Sequence, residues 1–385
     1  MRTLKDFNVS GKRVLLRTDF NAPVEEGHVK DDFRLSAYIP TIRYLQERRA
    51  KIIILSHLGR PQGQKNSEES LEPVARRLGE LMESPVQFVG EVFGDDSRAA
   101  IANLKEGEVL LLENLRFHAE EEANDMAFAQ RLAELGDCFV NDAFSASHRA
   151  HASIAGLPTL LPSAAGLLLE KEVNGLDRVR LHAVRPYVFI MGGAKASTKI
   201  PVVKKLLPQV DAICFGGVLA NTILAAQGVT VGKSIFEEKV LEAAKEITVF
   251  DTKVHVPVDV VTSTDLTGNA PIRTTAIGEM RDDEIILDIG QDTVNLFLKV
   301  MLSANTVVWN GPVGLFEVPQ FAQGTLALAD AFKDLGAYTV VGGGDVIRAL
   351  DIEGLLAKVN FVSTGGGAML EYLAGEKLPG IEALK

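Results

Sequence analysis

Cysteine is almost absent. Cys138 and Cys214 are the only two in 385 residues, they lie far apart, and neither belongs to a CxxC pair, which excludes a disulfide framework and a thiolate metal site. Each sits in an apolar, strand-like run and reads as a reduced core residue. The single tryptophan, Trp309, ends another such run and reads as buried structure. No apolar stretch approaches the roughly 20 residues of a membrane span, and Met1 to Phe7 carry no apolar signal core. No membrane association is expected, and a cytoplasmic location is. Basic excess is missing too: the net charge is −11, which argues against broad nucleic-acid or anionic-membrane binding. Any anion site must be local. No GxGxxG follows the first strand-like run, where a dinucleotide fold would carry it. Gly228-Val229-Thr230-Val231-Gly232-Lys233-Ser234 has the look of a Walker A loop, but it is one residue short between its glycines and no buried strand runs into it.

What is present is a repeated alternation. Buried-strand runs fall at Arg13 to Arg17, Ile52 to Leu55, Val109 to Leu112, Cys138 to Val140, Tyr187 to Ile190, Ala212 to Phe215, Thr306 to Trp309, Thr339 to Val341 and Asn360 to Val362. Between them, segments such as Leu35 to Arg49, Leu71 to Met82, Met126 to Leu135 and Val294 to Leu302 space their apolar residues as helices do. The pattern predicts an α/β protein with parallel sheets flanked by helices. Single cores stop growing near roughly 250–300 residues, so two domains are expected. Ligands of such sheets bind at the carboxyl ends of the strands.

In the first half those ends are polar. They carry Asp19 and Asn21, then His57 and Arg60, then Arg116, then His148, Arg149 and His151, while Arg34 opens the first helix. Any one of these is an ordinary solvated charge or capping group; their convergence on one edge of an acidic protein is not. Guanidinium groups bind carboxylate and phosphate in bidentate fashion, so several together imply a small substrate with more than one anionic group. Asp19 and Asn21 suit a substrate hydroxyl or hold the arginines in place. His148 and His151 without a further Cys or carboxylate set make an incomplete metal site.

The second half ends its strands in glycine: Gly192-Gly193-Ala194-Lys195, Gly216-Gly217, Asn310-Gly311-Pro312, Gly342-Gly343-Gly344-Asp345 and Gly365-Gly366-Gly367. Glycine lets backbone approach a flat or phosphorylated ligand, and a helix opening after such a turn directs N–H groups at it. With Lys195 and Lys199 four apart, Glu317 for a ribose and Asp345 for Mg²⁺, the set suits a nucleotide. Pro162, Ser163 as a cap, and the leucines that follow predict one helix bridging the halves. A cleft with an anion pocket on one wall and a nucleotide pocket on the other, closing to exclude water, is the expected arrangement.

The stretches Arg17-Thr18-Asp19-Phe20-Asn21-Ala22-Pro23, His57-Leu58-Gly59-Arg60-Pro61, Glu113-Asn114-Leu115-Arg116-Phe117, Asn141-Asp142-Ala143-Phe144 with His148-Arg149-Ala150-His151, Gly192-Gly193-Ala194-Lys195, Trp309-Asn310-Gly311-Pro312, Gly342-Gly343-Gly344-Asp345 and Ser363-Thr364-Gly365-Gly366-Gly367, in this order, resemble the phosphoglycerate kinase family over essentially the whole chain. The resemblance implies two Rossmann-like domains, residues 1–162 for phosphoglycerate and 179–369 for nucleotide. They would be joined by an interdomain helix over 163–178 across a cleft, with the tail 370–385 returning to the first domain. It implies reversible, Mg²⁺-dependent phosphoryl transfer from 1,3-bisphosphoglycerate to ADP, giving 3-phosphoglycerate and ATP, by a monomer. By motif position, Asp19, Asn21, Arg34, His57, Arg60, Arg116, His148 and Arg149 would hold phosphoglycerate. Lys195, Lys199, Gly216, Gly217, Asn310, Pro312, Glu317, Gly342, Gly343, Gly344, Asp345 and Val346 would hold nucleotide, with Asp345 on the metal. Arg34, Lys195 and Lys199 would act on the transferring group. Two alternatives stand beside this, a catalytically silent nucleotide-binding relative and a kinase for another small carboxylic acid. One departure is visible: the family usually places Ser or Thr after the Gly-Gly-Gly-Asp turn, where Val346 stands here, so a weaker hold on nucleotide, improved by Val346→Thr, is expected.

Overall fold

The computed structural model describes all 385 residues, which divide into two compact units, Met1–Asn174 with Lys377–Lys385, and Gly175–Glu376. The first is built on a six-stranded parallel sheet in the order Val86–Val89, Val109–Leu112, Lys51–Leu55, Arg13–Arg17, Cys138–Asn141, Ser163–Ala165. Between the charged residues at their ends, its central strands are apolar and buried on both faces, as helix-covered parallel strands must be. Strand order reverses between Arg13–Arg17 and Cys138–Asn141, so the switch point lies beside Asp19 and Asn141.

The second unit repeats the plan with Val254–His255, Ala212–Phe215, Tyr187–Met191, Thr306–Asn310, Tyr338–Gly342 and Phe361–Ser363. Its switch point falls between Tyr187–Met191 and Thr306–Asn310, at the Gly192 and Gly311 turns. Trp309 is fully buried and stacks on Phe332, with ring centroids 5.8 Å apart. Its indole N–H donates to the Gly311 carbonyl at 3.0 Å, which ties the side chain to the turn that follows it.

Four details differ from the sequence reading. A separate antiparallel sheet forms from Asp259–Ser263, Arg273–Ala276 and Ile285–Ile289. Its strands break short apolar stretches with Asp259, Arg273, Asp288 and threonines, so no long apolar run announces it. Ser163 caps nothing, because Ser163–Ala165 is the last strand of the first sheet and the helix begins at Leu167. That helix, Leu167–Arg180, contains the unit boundary between Asn174 and Gly175. The segment that belongs with the first unit starts at Lys377 and not at 370, since Gly367–Leu373 is a helix whose Met369, Leu370 and Leu373 are buried in the second unit. Within the first unit the Arg2 N–H donates to the Leu384 carbonyl at 3.3 Å, and the Gly380 N–H to that of Ser147 at 2.9 Å. The Walker-like stretch follows the helix Gly217–Ala226 as turns, where a Cβ on Gly232 would stand 2.4 Å from the Glu284 carbonyl, so its glycine serves packing. No helix is long and apolar enough to cross a membrane.

Candidate active site

In the first unit the strand ends gather one connected set of charges. Arg17 is fully buried at the end of its strand. Its Nε donates to Ser153 Oγ at 2.7 Å, and an Nη lies 3.3 Å from His57 Nδ1. The other edge of the His57 ring, Nε2, is 3.6 Å from Asp19 Oδ1. Asp19 also takes Arg34 at 3.2 Å and the Ser145 hydroxyl. Burial works to raise the Asp19 carboxyl, yet the Arg34 guanidinium, the Ser145 hydroxyl and the Asn21 N–H together hold it below the usual carboxylate range. Asp19 is therefore ionised at neutral pH.

The histidines go the other way. Burial, reinforced by Arg17, Arg116 and Arg149, keeps His57 well below its ordinary value in spite of Asp19. Burial and Arg149 push His148 down to about 4, and burial with Arg17 and its neighbours pushes His151 down to about 3. All three are neutral at pH 7, so the positive charge here belongs to the arginines. Arg116 is buried, and burial with Arg17 and Arg149 lowers it to about 10, still cationic. One Nη of Arg116 donates to the Gly59 carbonyl at 2.7 Å; the other has no acceptor. Its Nε has only the Glu122 carboxylate, at 3.3 Å. The Nδ1 atoms of His148 and His151 are likewise buried without a hydrogen bond. Native interiors leave few donors unpaired, so this concentration marks where an anion belongs. Asn21 accepts from the Gly59 N–H at 2.9 Å, fixing one loop against the next, and Arg149 donates to His148 Nε2 at 3.2 Å. Arg60 lies at the exposed rim.

Glu121 and Ser153, absent from the sequence reading, anchor this set. Glu121 accepts from the Ser153 N–H at 2.9 Å and the Ser153 hydroxyl at 2.5 Å, and faces Arg17 at 3.7 Å, both side chains being fully buried. Ser145, on Asp19, was missed as well. The sequence clue was slight: two acids beside Glu121 are solvated, and so the run looks like an exposed helix face.

In the second unit not all the glycines serve a ligand. A Cβ on Gly192 would stand 1.9 Å from the Pro312 carbonyl, so Gly192 exists to let two strand-end loops meet. Those loops are laced by the Gly193 N–H to Pro312 carbonyl bond at 2.8 Å and the Gly217 N–H to Val313 carbonyl bond at 2.9 Å, and Gly216 is closed in by Val313. The last two turns are open. Gly343, at φ +100°, precedes the helix Gly344–Ile352, and a Cβ on Gly344, Gly366 or Gly367 would meet nothing within 4 Å. Asn310 Nδ2 braces this side by donating to the Gly342 carbonyl at 3.1 Å. The helix Ala196–Leu206 starts just after Lys195, and the Glu237 carboxyl is held below its ordinary range there, against burial, by Ser197 and the Ala196 N–H. The helix start after Gly343 has no side-chain cap.

Lys199 donates to the Gly192 carbonyl. Burial lowers it to about 8, against the pull of Asp345. Asp345 sits in the first turn of its helix without capping it; burial, then the charge of Glu317, raise its carboxyl despite Arg348 and Lys199. A lone carboxylate under this strain fits a Mg²⁺ that keeps most of its ligands from phosphate and water. No group of three acidic, histidine or cysteine side chains forms a metal cage of its own.

Val346 is corrected by the structure. Its side chain is fully buried in the apolar cluster with Val341, Ala349 and Leu350, so only its backbone can reach a ligand. Threonine there would bury a hydroxyl rather than aim one at phosphate. Val346→Thr is now expected to lower stability by about 1 kcal/mol and leave ADP affinity unchanged, as thermal melts and ADP titration would measure.

Unpaired cationic donors at one sheet's carboxyl edge suit a small polyanion, and an open glycine turn at another's suits a phosphate chain. That pair of features fits the class of small-molecule kinases. This chain belongs to the phosphoglycerate kinase family, whose model matches residues 4–376. It is 46% identical over 387 residues to the phosphoglycerate kinase of Pelotomaculum thermopropionicum, covering 100% of this chain and 98% of that one. With that of Moorella thermoacetica it shares 47% over 386 residues, covering 99% and 98%. Among solved structures, phosphoglycerate kinase from Pyrococcus horikoshii aligns at a TM-score of 0.89 with 35% identity, covering 100% and 98%. That from Coxiella burnetii aligns at 0.82 with 39%, covering 99% and 98%. The protein transfers a phosphoryl group reversibly from 1,3-bisphosphoglycerate to ADP, giving 3-phosphoglycerate and ATP.

Proposed function

We propose that Asp19, Asn21, Arg34, His57, Arg60, Arg116, His148 and Arg149 hold the phosphoglycerate. Lys195, Lys199, Gly216, Gly217, Asn310, Pro312, Glu317 and the turn Gly342 to Val346 hold the nucleotide, the last through its N–H. The observation that carries the reading is the buried Arg116 cation with an unpaired Nη, flanked by Arg17 and Arg149. Such an arrangement is costly empty and relieved by a bound phosphate. The open turn at Gly344 and Gly367 gives the nucleotide phosphates room beside unspent N–H groups.

In the ATP-consuming direction the nucleophile is a carboxylate, ionised at pH 7, so no general base is needed. The protein's task is to orient the two reactants in line and to neutralise charge on the transferring group. Arg34 and Lys199 serve its equatorial oxygens, and Lys195 accompanies the phosphoryl group. Mg²⁺ bound with the nucleotide would be held by Asp345 and would supply further neutralisation of phosphate charge. One chain supplies every named donor, which favours action as a monomer, and the location proposed for it is the cytoplasm.

A coupled assay with 3-phosphoglycerate, ATP and Mg²⁺ tests the assignment. Turnover with 3-phosphoglycerate and not with other small acids is expected; nucleotide binding without turnover, or turnover only with another acid, would overturn it. Arg60→Ala is expected to raise KM for 3-phosphoglycerate about tenfold with a smaller change in kcat, the loss of one charge-assisted contact at the rim. An unchanged KM removes Arg60 from the pocket.

A further inference from the structure

We infer that the first unit carries a second anion site, at the amino edge of its sheet, suited to a phosphate monoester on a flat aromatic ring. Arg13 and Lys51 open neighbouring parallel strands and stand in register. Their side chains therefore leave the sheet on one face, the face that Leu15 and Ile53 occupy two residues further on. Helices Asp95–Asn103 and Met126–Ala133 cover that face, and a cavity of 530 Å³ remains beside the strand starts. Its size is that of a small-ligand site, roughly 300–1,000 Å³.

The lining has the two chemistries such a ligand needs. Arg98 and Arg131 join Arg13 and Lys51 around an apolar floor that includes Ile101, with Glu134 as the one acid. Four cations about one cavity, in a chain of net charge −11, repel one another unless an anion sits among them. Two of the four are already paired, Arg13 with Asp137 at 2.7 Å and Arg98 with Asp95 at 2.6 Å. Lys51 has no partner. The Arg131 guanidinium lies over the Phe93 ring, 3.9 Å from its centroid, and Phe93 is itself held edge-on by Phe128 at 5.3 Å. A guanidinium stacked in this way can turn its other face to a planar ligand while its N–H edge donates to phosphate. The strand starts lie roughly 13 Å from the strand ends, four residue steps of about 3.3 Å, so this cavity is separate from the phosphoglycerate pocket.

The test uses the full-length protein saturated with 3-phosphoglycerate and ADP, titrated with 1-naphthyl phosphate by calorimetry. Saturable binding is expected, weakened at least tenfold in Lys51→Met and in Arg131→Gln, with turnover unchanged in both and melting curves checking the fold of each. 1-Naphthol should not bind, and inorganic phosphate should compete poorly. The proposal is overturned if no saturable binding survives saturation with the substrates, or if both variants keep the parent affinity. Competition by inorganic phosphate as strong as that of the ring compound would overturn the aromatic part.

Discussion

Replacing Lys199 with alanine lowers kcat by roughly two to three orders of magnitude and leaves ADP affinity within a few fold, the pattern for a group that acts on charge developing in the transition state. Lys199 is a half-buried cation of the second unit: loss of solvent around it brings it to about 8, and its ammonium rests on the Gly192 carbonyl. A desolvated ammonium interacts with a phosphoryl oxygen more strongly than one in water does, and its place is set before the reaction begins. The charged form is the useful one, so it is present below pH 8 and lost above it. kcat/KM for the nucleotide should accordingly fall as pH rises through about 8, and the limb should vanish in Lys199→Ala. Arg34→Ala is the companion experiment on the other substrate's side. Arg34 is fixed 3.2 Å from Asp19, and its loss should likewise reduce kcat far more than nucleotide affinity. Near-normal turnover in either variant removes that residue from the transition state, whatever else it holds.

The parts of this enzyme that could be read from sequence are those whose physics is local. A buried parallel strand must be apolar on both faces, so Arg13–Arg17, Val109–Leu112 and Ala212–Phe215 were legible to the residue. Strand ends that break into Asp, Arg and His, or into glycine, pointed to the ligand edge for the same reason. Glycine could not say which partner it accommodates. Gly192 makes room for the Pro312 carbonyl and Gly344 for open space, a distinction that depends on a loop more than a hundred residues away. Nor could Val346 be read from its neighbours, since a residue in the first helical turn faces ligand or core according to where the helix starts, and it starts at Gly344. The antiparallel sheet around Asp259–Ser263 was lost because its short strands are rich in polar residues, as loops are. Glu121 and Glu237 were lost because a carboxylate in an acidic run looks solvated until its partner, Ser153 or the start of the Ala196 helix, is known.

Glu121 gives the largest stability effect expected of any single change in the first unit. Its carboxylate and the Arg17 guanidinium are both fully buried, 3.7 Å apart, with Ser153 bonded to each. Taking two charges from water is repaid only while both remain and their hydrogen bonds are made. Glu121→Ala leaves the Arg17 cation buried with its acid gone, which should cost about 3–5 kcal/mol, read as a lower denaturation midpoint at unchanged m-value. The same change should reach the substrate. Arg17 braces His57 at 3.3 Å, His57 faces Asp19, and Asp19 holds Arg34. A slackened Arg17 therefore loosens the chain of contacts that positions Arg34, and KM for 3-phosphoglycerate should rise while that for ADP does not. Glu121→Gln separates the two consequences: its amide oxygen keeps the bond from the Ser153 N–H while its NH2 donates to the Ser153 hydroxyl, but the charge facing Arg17 is gone, so packing should largely return and the substrate effect should persist. If Glu121→Gln restored both, hydrogen bonding alone would suffice to set the pocket. If Glu121→Ala left stability within 1 kcal/mol of the parent, water would have to reach Arg17, and the buried pair would not be what holds this edge together.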